Sequence, residues 1–213
     1  MPSLIVSIDG PEFCGKTTIA NLLIEILRHR NKNKKIIFKR TELPSSSVTG
    51  YFTDILRNSN DAVSSKVFAL LYALDHLNHF QQVIEPIKAS KENFVIIQER
   101  SLLTSYVYQG LIGDVDFTWL KEINKFDKNI PDLSLILKVD INELLRRKGL
   151  ENKNFDKFEV KEHLEKQIKT YYNLPADLVK QFHVEYIDTN DEPLTVAEKC
   201  AERIQKEIDK IFK

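Results

Sequence analysis

Five short apolar runs, each followed by a segment with helical periodicity, constrain the fold of this chain more than any other feature. Each run is continuous rather than alternating, as expected for a strand buried on both faces of a parallel sheet. The predicted strands are residues 4–8, 35–39, 94–98, 133–139 and 184–187. The clearest predicted helices, with apolar residues about every 3.6 positions, are residues 17–30, 62–82 and 196–212. This alternation predicts an α/β protein with a layered sheet.

Composition narrows the class of protein. The chain has 213 residues, and its 31 basic and 31 acidic side chains cancel, which argues against a general nucleic-acid binder. No stretch reaches the roughly 18 apolar residues of a membrane helix, and the N-terminus lacks a secretory signal. Cys14 and Cys200 stand outside paired motifs, so neither disulfides nor structural zinc are predicted. We therefore expect one cytoplasmic domain over residues 1–213, without nucleic-acid or membrane partners.

The sequence GPEFCGKT at residues 10–17 fits the pattern G-x-x-x-x-G-K-[ST] between a predicted strand and a predicted helix. Glycines let backbone N–H groups curl around phosphate oxygens, and the helix N-terminus adds positive potential. Lys16 is expected to reach the β- and γ-phosphates, and the Thr17 hydroxyl to ligate Mg²⁺. The residues predicted to bind ATP are Gly10, Glu12, Phe13, Cys14, Gly15, Lys16, Thr17 and Thr18.

Glu99 and Arg100 follow the third predicted strand directly. A carboxylate in this place is typical of a second group on the Mg²⁺ side of a phosphate loop. The alternative is a glutamate that caps the next helix. Thr17 and Glu99 are accordingly the predicted metal ligands.

Residues 124–127 (NKFD) match the guanine-binding motif N-K-x-D of GTPases, so a GTPase is one alternative to consider. That motif should follow a strand, whereas these residues precede one, and no D-x-x-G ends the third strand. We interpret the match as coincidence and expect Trp119, Ile123 and Phe126 to form the buried side of a helix.

The predicted helix over residues 62–82 has two distinct faces, because steps of three and four residues stay on one side. One face carries Val67, Leu70, Leu71 and Leu74. The opposite face carries Phe68, Tyr72, His76 and His79. The second face either packs against another helix or forms the wall of a base pocket in which Tyr72 stacks on an aromatic ring.

Taken in order, these motifs resemble the thymidylate kinase family over nearly the whole chain. Residues 10–17 match the phosphate loop of that family, with Glu12 at its acidic position. The further similar stretches are residues 40–44 (RTELP) to its R-E-P, residues 72–76 (YALDH) to its F-x-A-D-R, residues 99–109 (ERSLLTSYVYQ) to its D-R-Y-x-x-S-x-x-A-Y-Q, residues 131–133 to its P-D-L, and residues 156–159 (DKFE) to its D-R-F-E.

The resemblance implies a three-layer P-loop NTPase fold, with a five-stranded parallel sheet flanked by helices and a small lid at about residues 142–158. It implies that ATP phosphorylates a deoxynucleoside monophosphate, dTMP to dTDP, and that the protein is a homodimer. Family members without an arginine in the phosphate loop carry basic residues in the lid. Phe13 occupies that loop position here, and residues 146–157, which we predict to be a loop or hinged flap, carry the charge.

The resemblance also implies roles for single residues. Lys16, Arg100 and the lid residues Arg146 and Arg147 would neutralise charge on the transferring phosphoryl group. Arg40 would clamp the acceptor phosphate, and Glu12 would orient the 3′-hydroxyl of the sugar. The predicted substrate-binding residues are Glu12, Arg40, Tyr72, His76, Arg100, Ser105, Tyr108 and Gln109.

Two departures keep alternatives open. His76 replaces the base-reading arginine of the family, and E-R-S at residues 99–101 replaces D-R-Y and resembles deoxynucleoside kinases. In a nucleoside kinase, Glu42 would act as general base on a 5′-hydroxyl, and Arg40 would have no acceptor phosphate to bind. A third alternative is a nucleotide-binding module without catalysis.

Overall fold

A sheet of five parallel strands forms the centre of the molecule. The computed structural model describes residues 2–150 and 160–212. The strands are β1 (Ser3–Asp9), β2 (Ile36–Glu42), β3 (Asn93–Glu99), β4 (Leu133–Lys138) and β5 (Val184–Asp188). Their order across the sheet is β2-β3-β1-β4-β5. The predicted α/β class and all five predicted strands are confirmed, with ends that differ by a few residues.

Helices connect the strands in the order expected for parallel pairing. They are α1 (Lys16–Arg30), α2 (Val48–Asn58), α3 (Ser65–His79), α4 (Glu85–Ala89), α5 (Leu102–Ser105), α6 (Phe117–Ile123), α7 (Ile141–Leu150), α8 (Lys161–Tyr171), α9 (Ala176–Gln181) and α10 (Pro193–Ile211). α3 continues as a π-helix over Phe80–Ile84, and α5 continues as one over Tyr106–Ile112. Ser64 caps α3 by accepting the Val67 N–H at 3.3 Å.

Side chains of β1 alternate between the two faces of the sheet, which produces three layers. Val6 and Ile8 are fully buried in one core with side chains of α1 and α10, including Leu23. Ile5 belongs to a separate core on the opposite face, together with Ile84. The layered arrangement implied by the family resemblance is therefore confirmed.

The apolar face of α3 is solvent-exposed, whereas its aromatic and histidine face is buried. Leu70 and Leu74 are 52% and 51% exposed, but Phe68, His76 and His79 are only 2–3% exposed. The pattern alone defined both faces of this helix correctly, and only the packing decided which one enters the protein.

Two local predictions were wrong. Phe126 is exposed rather than buried, because α6 ends at Ile123 and residues 124–127 form a turn that buries Asp127 instead. The basic segment expected to be a loop from residue 146 is helical as far as Leu150, so Arg146 lies on α7. The remaining residues of that segment, including Lys153 and the DKFE stretch, lie outside the described residues.

Within residues 2–150 and 160–212, no helix has the length and hydropathy needed to cross a bilayer.

Candidate active site

The phosphate loop lies where β1 ends and α1 begins, at the carboxyl edge of the sheet where α/β proteins bind ligands. Gly10 has φ 138°, and a Cβ there would lie 2.9 Å from the carbonyl oxygen of Leu137. Gly15 has φ 96° and is the residue before the first turn of α1. Both positions therefore require glycine, because other side chains rarely adopt this backbone conformation.

Lys16 is held inside this loop. Its side chain is only 7% exposed, and Nζ donates to the carbonyl oxygens of Gly10 at 3.1 Å and Pro11 at 2.6 Å. Nζ also lies 3.8 Å from Glu12 Oε2. A buried ammonium of this kind places a positive charge at the centre of the loop, where phosphate oxygens are recognised.

The two predicted metal ligands are in contact. The Thr17 hydroxyl donates to Glu99 Oε2 at 2.6 Å, and Glu99 is buried at the end of β3. Hydroxyl and carboxylate oxygens beside a phosphate loop are the donors that Mg²⁺ takes in such sites. Among the described residues no group of three or more His, Cys, Asp or Glu side chains forms a metal cluster. The pair therefore fits a Mg²⁺ that is held mainly by nucleotide phosphates and water.

A buried charge cluster adjoins the loop. Arg100 Nη2 donates to both carboxylate oxygens of Glu12 at 2.7 Å, and Arg57 Nη2 lies 3.5 Å from Oε1 of the same group. Burial by itself would raise the pKa of Glu12, but the charges of Arg100, Lys16 and Arg57 outweigh it and hold that pKa well below its usual range. Burial opposes the charge of Arg100, and the Glu12 carboxylate more than compensates, so the pKa of Arg100 is raised.

A small pocket, with a cavity volume of about 20 Å³, opens beside this cluster, and we call it the acceptor pocket. Every predicted substrate-binding residue except Arg40 lines it. Tyr72 and His76 come from α3, and Ser105 ends α5. Tyr108 and Gln109 follow on the π-helix after α5. The pocket thus unites side chains that are far apart in the sequence.

The structure does not bring Arg40 into the acceptor pocket. Its guanidinium donates to Glu42 Oε2 at 3.0 Å and also pairs with Glu99, so it is turned toward the end of the sheet. Arg57 of α2 lines the pocket instead. Arg57 was not among the predicted site residues because α2 itself was not predicted. The signal that was available is the spacing of Phe52, Ile55 and Leu56 around a helical turn.

The E-R-S triplet has a structural explanation. Asp9, fully buried at the end of β1, accepts the N–H and hydroxyl of Ser101, both at 3.1 Å, and the Thr104 hydroxyl at 2.7 Å. Ser101 also caps α5 by accepting the Leu103 N–H at 3.3 Å. A serine at this position therefore anchors α5 to β1, and its presence does not by itself indicate a nucleoside acceptor.

Arg147 joins two loops of the nucleotide side. Its Nη1 donates to the Cys14 carbonyl at 3.2 Å, and its Nη2 donates to the Thr189 carbonyl at 2.9 Å. Arg146 is more peripheral, with a side chain that is 62% exposed and bonded to Glu143. Hydrogen bonds from Arg146 and Arg147 lower the pKa of Glu143 to about 2.

Two cavities flank Arg147. The first lies between the phosphate loop and residues 189–193, and the second lies above the phosphate loop. Gly15 and Thr18 line both cavities. Phe13 lines the second cavity and Cys14 the first. The predicted ATP-binding residues other than Gly10 thus line one or both of two adjoining cavities. The fold and this site together define a P-loop nucleotide-binding protein with an adjoining acceptor pocket.

Comparison with known proteins specifies the family. The sequence model of the thymidylate kinase family matches residues 8–200. A probable thymidylate kinase of Methanococcus maripaludis is 32% identical over 190 residues, covering 87% of this chain and 86% of that relative. A second, from Methanocaldococcus jannaschii, is 29% identical over 206 residues and covers 97% and 94%. The chain therefore belongs to the thymidylate kinase family and is a phosphotransferase.

The fold comparison agrees with this assignment. The crystal structure of thymidylate kinase from Ehrlichia chaffeensis matches with a TM-score of 0.68 and covers 96% of this chain and 99% of that chain. The sequence identity is 18%, so this likeness concerns the fold. The P-loop NTPase architecture expected from the sequence is confirmed.

Proposed function

We propose that the protein transfers the γ-phosphoryl group of ATP to the phosphate of dTMP and so forms dTDP. The observation that carries the proposal is the shared boundary of two compartments. Glu12 and Arg100 line both the cavity above the phosphate loop and the acceptor pocket. A donor phosphate on the loop and an acceptor phosphate in the pocket would therefore meet at one arginine.

Transfer to a monophosphate needs little proton chemistry, because the attacking phosphate oxygen is already ionised. Catalysis then consists of positioning and of neutralising the charge on the moving phosphoryl group. Lys16 and Arg100 supply that charge from the loop and from the end of β3. Arg147 and the more peripheral Arg146 add charge from α7, which contains the described part of the proposed lid over residues 142–158.

Arg57 and Arg100 form the clamp for the acceptor phosphate in this proposal. Both line the acceptor pocket and both approach the Glu12 carboxylate. Two guanidinium groups suit an anionic phosphate better than a neutral nucleoside hydroxyl. This pair is why we favour a monophosphate acceptor over the nucleoside alternative with Glu42 as base.

The inner end of the acceptor pocket is suited to a base and its sugar. The half-buried Tyr72 contributes an aromatic ring to the lining, and Gln109 Oε1 is buried without a hydrogen-bond partner among the described residues. Such an acceptor would match the N–H of a pyrimidine ring. Ser105 and Tyr108 complete the wall, and Glu12 is the proposed partner of the sugar 3′-hydroxyl.

Mg²⁺ would be held at Thr17 and Glu99, the oxygen pair described above. A bound Mg²⁺ would supply charge neutralisation of the nucleotide phosphates. Thr17 at the start of α1 and Glu99 at the end of β3 would be its two protein ligands, and the hydrogen bond between them keeps their oxygens together.

We also propose that residues 1–213 act as a single cytoplasmic domain that forms a homodimer. The homodimer is supported by the exposed apolar surface on the adjacent helices α2 and α3. Tyr51 and Phe52 of α2 are 66% and 53% exposed, beside the exposed Leu70 and Leu74 of α3. Analytical ultracentrifugation should give twice the chain mass, and Leu70→Glu should shift it toward the monomer.

The direct test of function is an ADP-release assay with Mg-ATP that compares dTMP with thymidine. We expect kcat/KM for dTMP to exceed that for thymidine by about 100-fold or more, since the arginine pair would lack its phosphate with thymidine. A preference for thymidine would support the nucleoside kinase with Glu42 as base. Tight ATP binding without transfer to any acceptor would support the non-catalytic alternative.

A further inference from the structure

Arg100 has an uncommon backbone conformation at the centre of the candidate site. Its φ is 64°, in the left-handed region that residues other than glycine rarely adopt. Such a conformation persists only where the surrounding structure holds it. The side chain bonds Glu12 and lines both the acceptor pocket and the cavity above the phosphate loop. The groups that hold the Arg100 backbone therefore also determine where its guanidinium lies.

The peptide group before Arg100 is fixed by main-chain partners. The Arg100 N–H donates to the Ile8 carbonyl of β1 at 3.0 Å. The Glu99 carbonyl accepts the N–H of Leu43, the residue after β2, at 3.0 Å. Both polar groups of this peptide are thus satisfied without a side chain.

The peptide group after Arg100 is held by side chains instead. The Ser101 N–H donates to Asp9 Oδ1 at 3.1 Å, and the Arg100 carbonyl accepts Nε2 of Gln98 at 2.8 Å. Gln98 and Asp9 are both fully buried. The relative orientation of the two peptide groups is the backbone conformation of Arg100, so Gln98 and Asp9 together keep it left-handed.

Asn129 determines which way the Gln98 amide points. Asn129 Nδ2 donates to Gln98 Oε1 at 2.7 Å, and the Asn129 N–H donates to Asp127 Oδ1 at 2.9 Å. A carbonyl can only accept, so Nε2 of Gln98 faces Arg100 and Oε1 faces Asn129. A turned amide would place two oxygens against each other. The hydrogen bonds therefore run in one direction, from the turn before β4 to the backbone of Arg100.

We propose that Gln98 and Asn129 are positioning residues for phosphoryl transfer: they hold Arg100 in its left-handed conformation and so keep its guanidinium at the boundary between the donor and acceptor sites. This inference rests on the proposed function. Neither residue lines the acceptor pocket or the two cavities at the phosphate loop. Their effect on transfer therefore goes through Arg100.

The ion pair with Glu12 does not replace this backbone support. The arginine side chain is long and flexible, so it can reach a carboxylate from more than one backbone conformation. The guanidinium would then approach the phosphates from another direction. A catalytic charge must be preorganised, and a misplacement of about 1 Å can lower a rate about 100-fold.

The first test is Gln98→Met, which keeps the length of the side chain and removes its hydrogen bonds. The Kd for dTMP should rise about 10-fold and kcat should fall about 10-fold, the size expected for losing one buried hydrogen bond. KM for ATP should change less than about 3-fold, because the phosphate loop is intact. A variant that only lost part of its folded population would show a lower kcat with an unchanged Kd.

Ser7→Ala is the matched control for this variant. Ser7 lies beside Gln98 in the register of β1 and β3 and is also fully buried. Its Oγ has no hydrogen-bond partner among the described residues. The control should keep the wild-type Kd for dTMP and the wild-type kcat.

The second test is Asn129→Ala. Gln98 would keep its bond to the Arg100 carbonyl but lose the partner that orients its amide, so the Kd for dTMP should rise about 3-fold. Asn124→Ala is the control, since Asn124 is buried in the same turn but donates to the Leu120 carbonyl at 2.9 Å.

A double variant shows whether Gln98 acts through Arg100. In an Arg100→Met background, Gln98→Met should change the Kd for dTMP less than about 2-fold, because the coupled group is already gone. An equal increase in Kd with and without Arg100 would overturn the proposal. So would an unchanged Kd for dTMP in a folded Gln98→Met protein.

If Gln98→Met does not fold, Asn129→Ala decides, and a Kd for dTMP equal to that of Asn124→Ala rejects the proposal. Failure of the proposed function is a separate result, because the wild type would then transfer phosphate to no monophosphate. The coupling between Gln98 and Arg100 would in that case be measured on kcat with thymidine as acceptor.

Discussion

The phosphate loop and the acceptor pocket are neighbours, yet the chain builds them in opposite ways. The loop consists of consecutive residues whose conformation follows from two glycines and the start of α1. The pocket takes side chains from α2, α3, α5 and the π-helix that follows α5. A change in the loop should therefore affect every acceptor, whereas a change in the pocket should alter which acceptor is used.

The largest expected effect lies in the loop. Lys16→Ala removes the buried ammonium from the phosphate site and should lower kcat by about 1,000-fold or more for every acceptor. Steady-state ADP release measures it, with Lys34→Ala as a control on an exposed lysine paired to Asp209. If kcat stayed within 10-fold of wild type, Lys16 would not act in catalysis, because the loss of a preorganised charge is expected to cost more than that.

The buried face of α3 should have a measurable cost in stability. His79 has an ordinary pKa of 6.5 but a folded-state pKa of about 4, lowered first by burial and then by His76. Between these values the unfolded state binds the extra proton, so the free energy of unfolding falls as the pH falls, by roughly 3 kcal/mol from this group. His79→Leu should remove that part of the loss in urea titrations at pH 7, 5.5 and 4.

The exposed His29 supplies the control for that experiment. His29→Leu should retain the wild-type decline in unfolding free energy, since His29 is solvent-exposed near the end of α1 and far from the buried face of α3 in the sequence. An equal decline in wild type and His79→Leu would contradict the depressed pKa of His79.

Two arginines sharpen the comparison further. Arg57→Ala should raise KM for dTMP about 10- to 50-fold, because it removes one of two guanidinium groups facing the acceptor phosphate. Arg40→Ala should raise it less than about 3-fold, since its guanidinium pairs with Glu42 and Glu99 and does not line the acceptor pocket. A larger increase in KM for dTMP in Arg40→Ala than in Arg57→Ala would mean that Arg40, as the sequence motif predicted, binds the acceptor phosphate.

The smallest expected effect separates the two arginines of α7. Arg147→Ala should raise KM for ATP about 10-fold, because it breaks the link between the Cys14 and Thr189 carbonyls. Arg146→Ala should change it about 2-fold, as its exposed guanidinium pairs with Glu143. Equal effects would mean that α7 moves as a unit when ATP binds.

Much of the phosphate region was predictable because its information is local. A buried strand, two glycines with positive φ and an amphipathic helix determine the course of residues 4–30, and Glu99 follows from the end of another apolar strand. The same features, in order, were enough to predict the α/β class and the family. The roles of the individual site residues stay predictions for the experiments above.

The acceptor pocket was less predictable because its geometry depends on contacts between distant segments. The sequence showed that α3 has two faces, but only packing placed His76 inside and Leu74 outside. A sequence motif predicted Arg40 as a substrate-binding residue. The structure instead places Arg57 in the lining of the pocket, on a helix that the local sequence pattern did not predict.

The sequence by itself thus determined the strands, the phosphate loop and the class of chemistry, because periodicity and backbone sterics act over a few residues. The tertiary structure alone decided which arginine lines the acceptor pocket and which side chains lie beside His76, because these contacts join segments that are far apart in the sequence. Asp127 illustrates the reason: only folding brings this turn residue to 3.4 Å from His76.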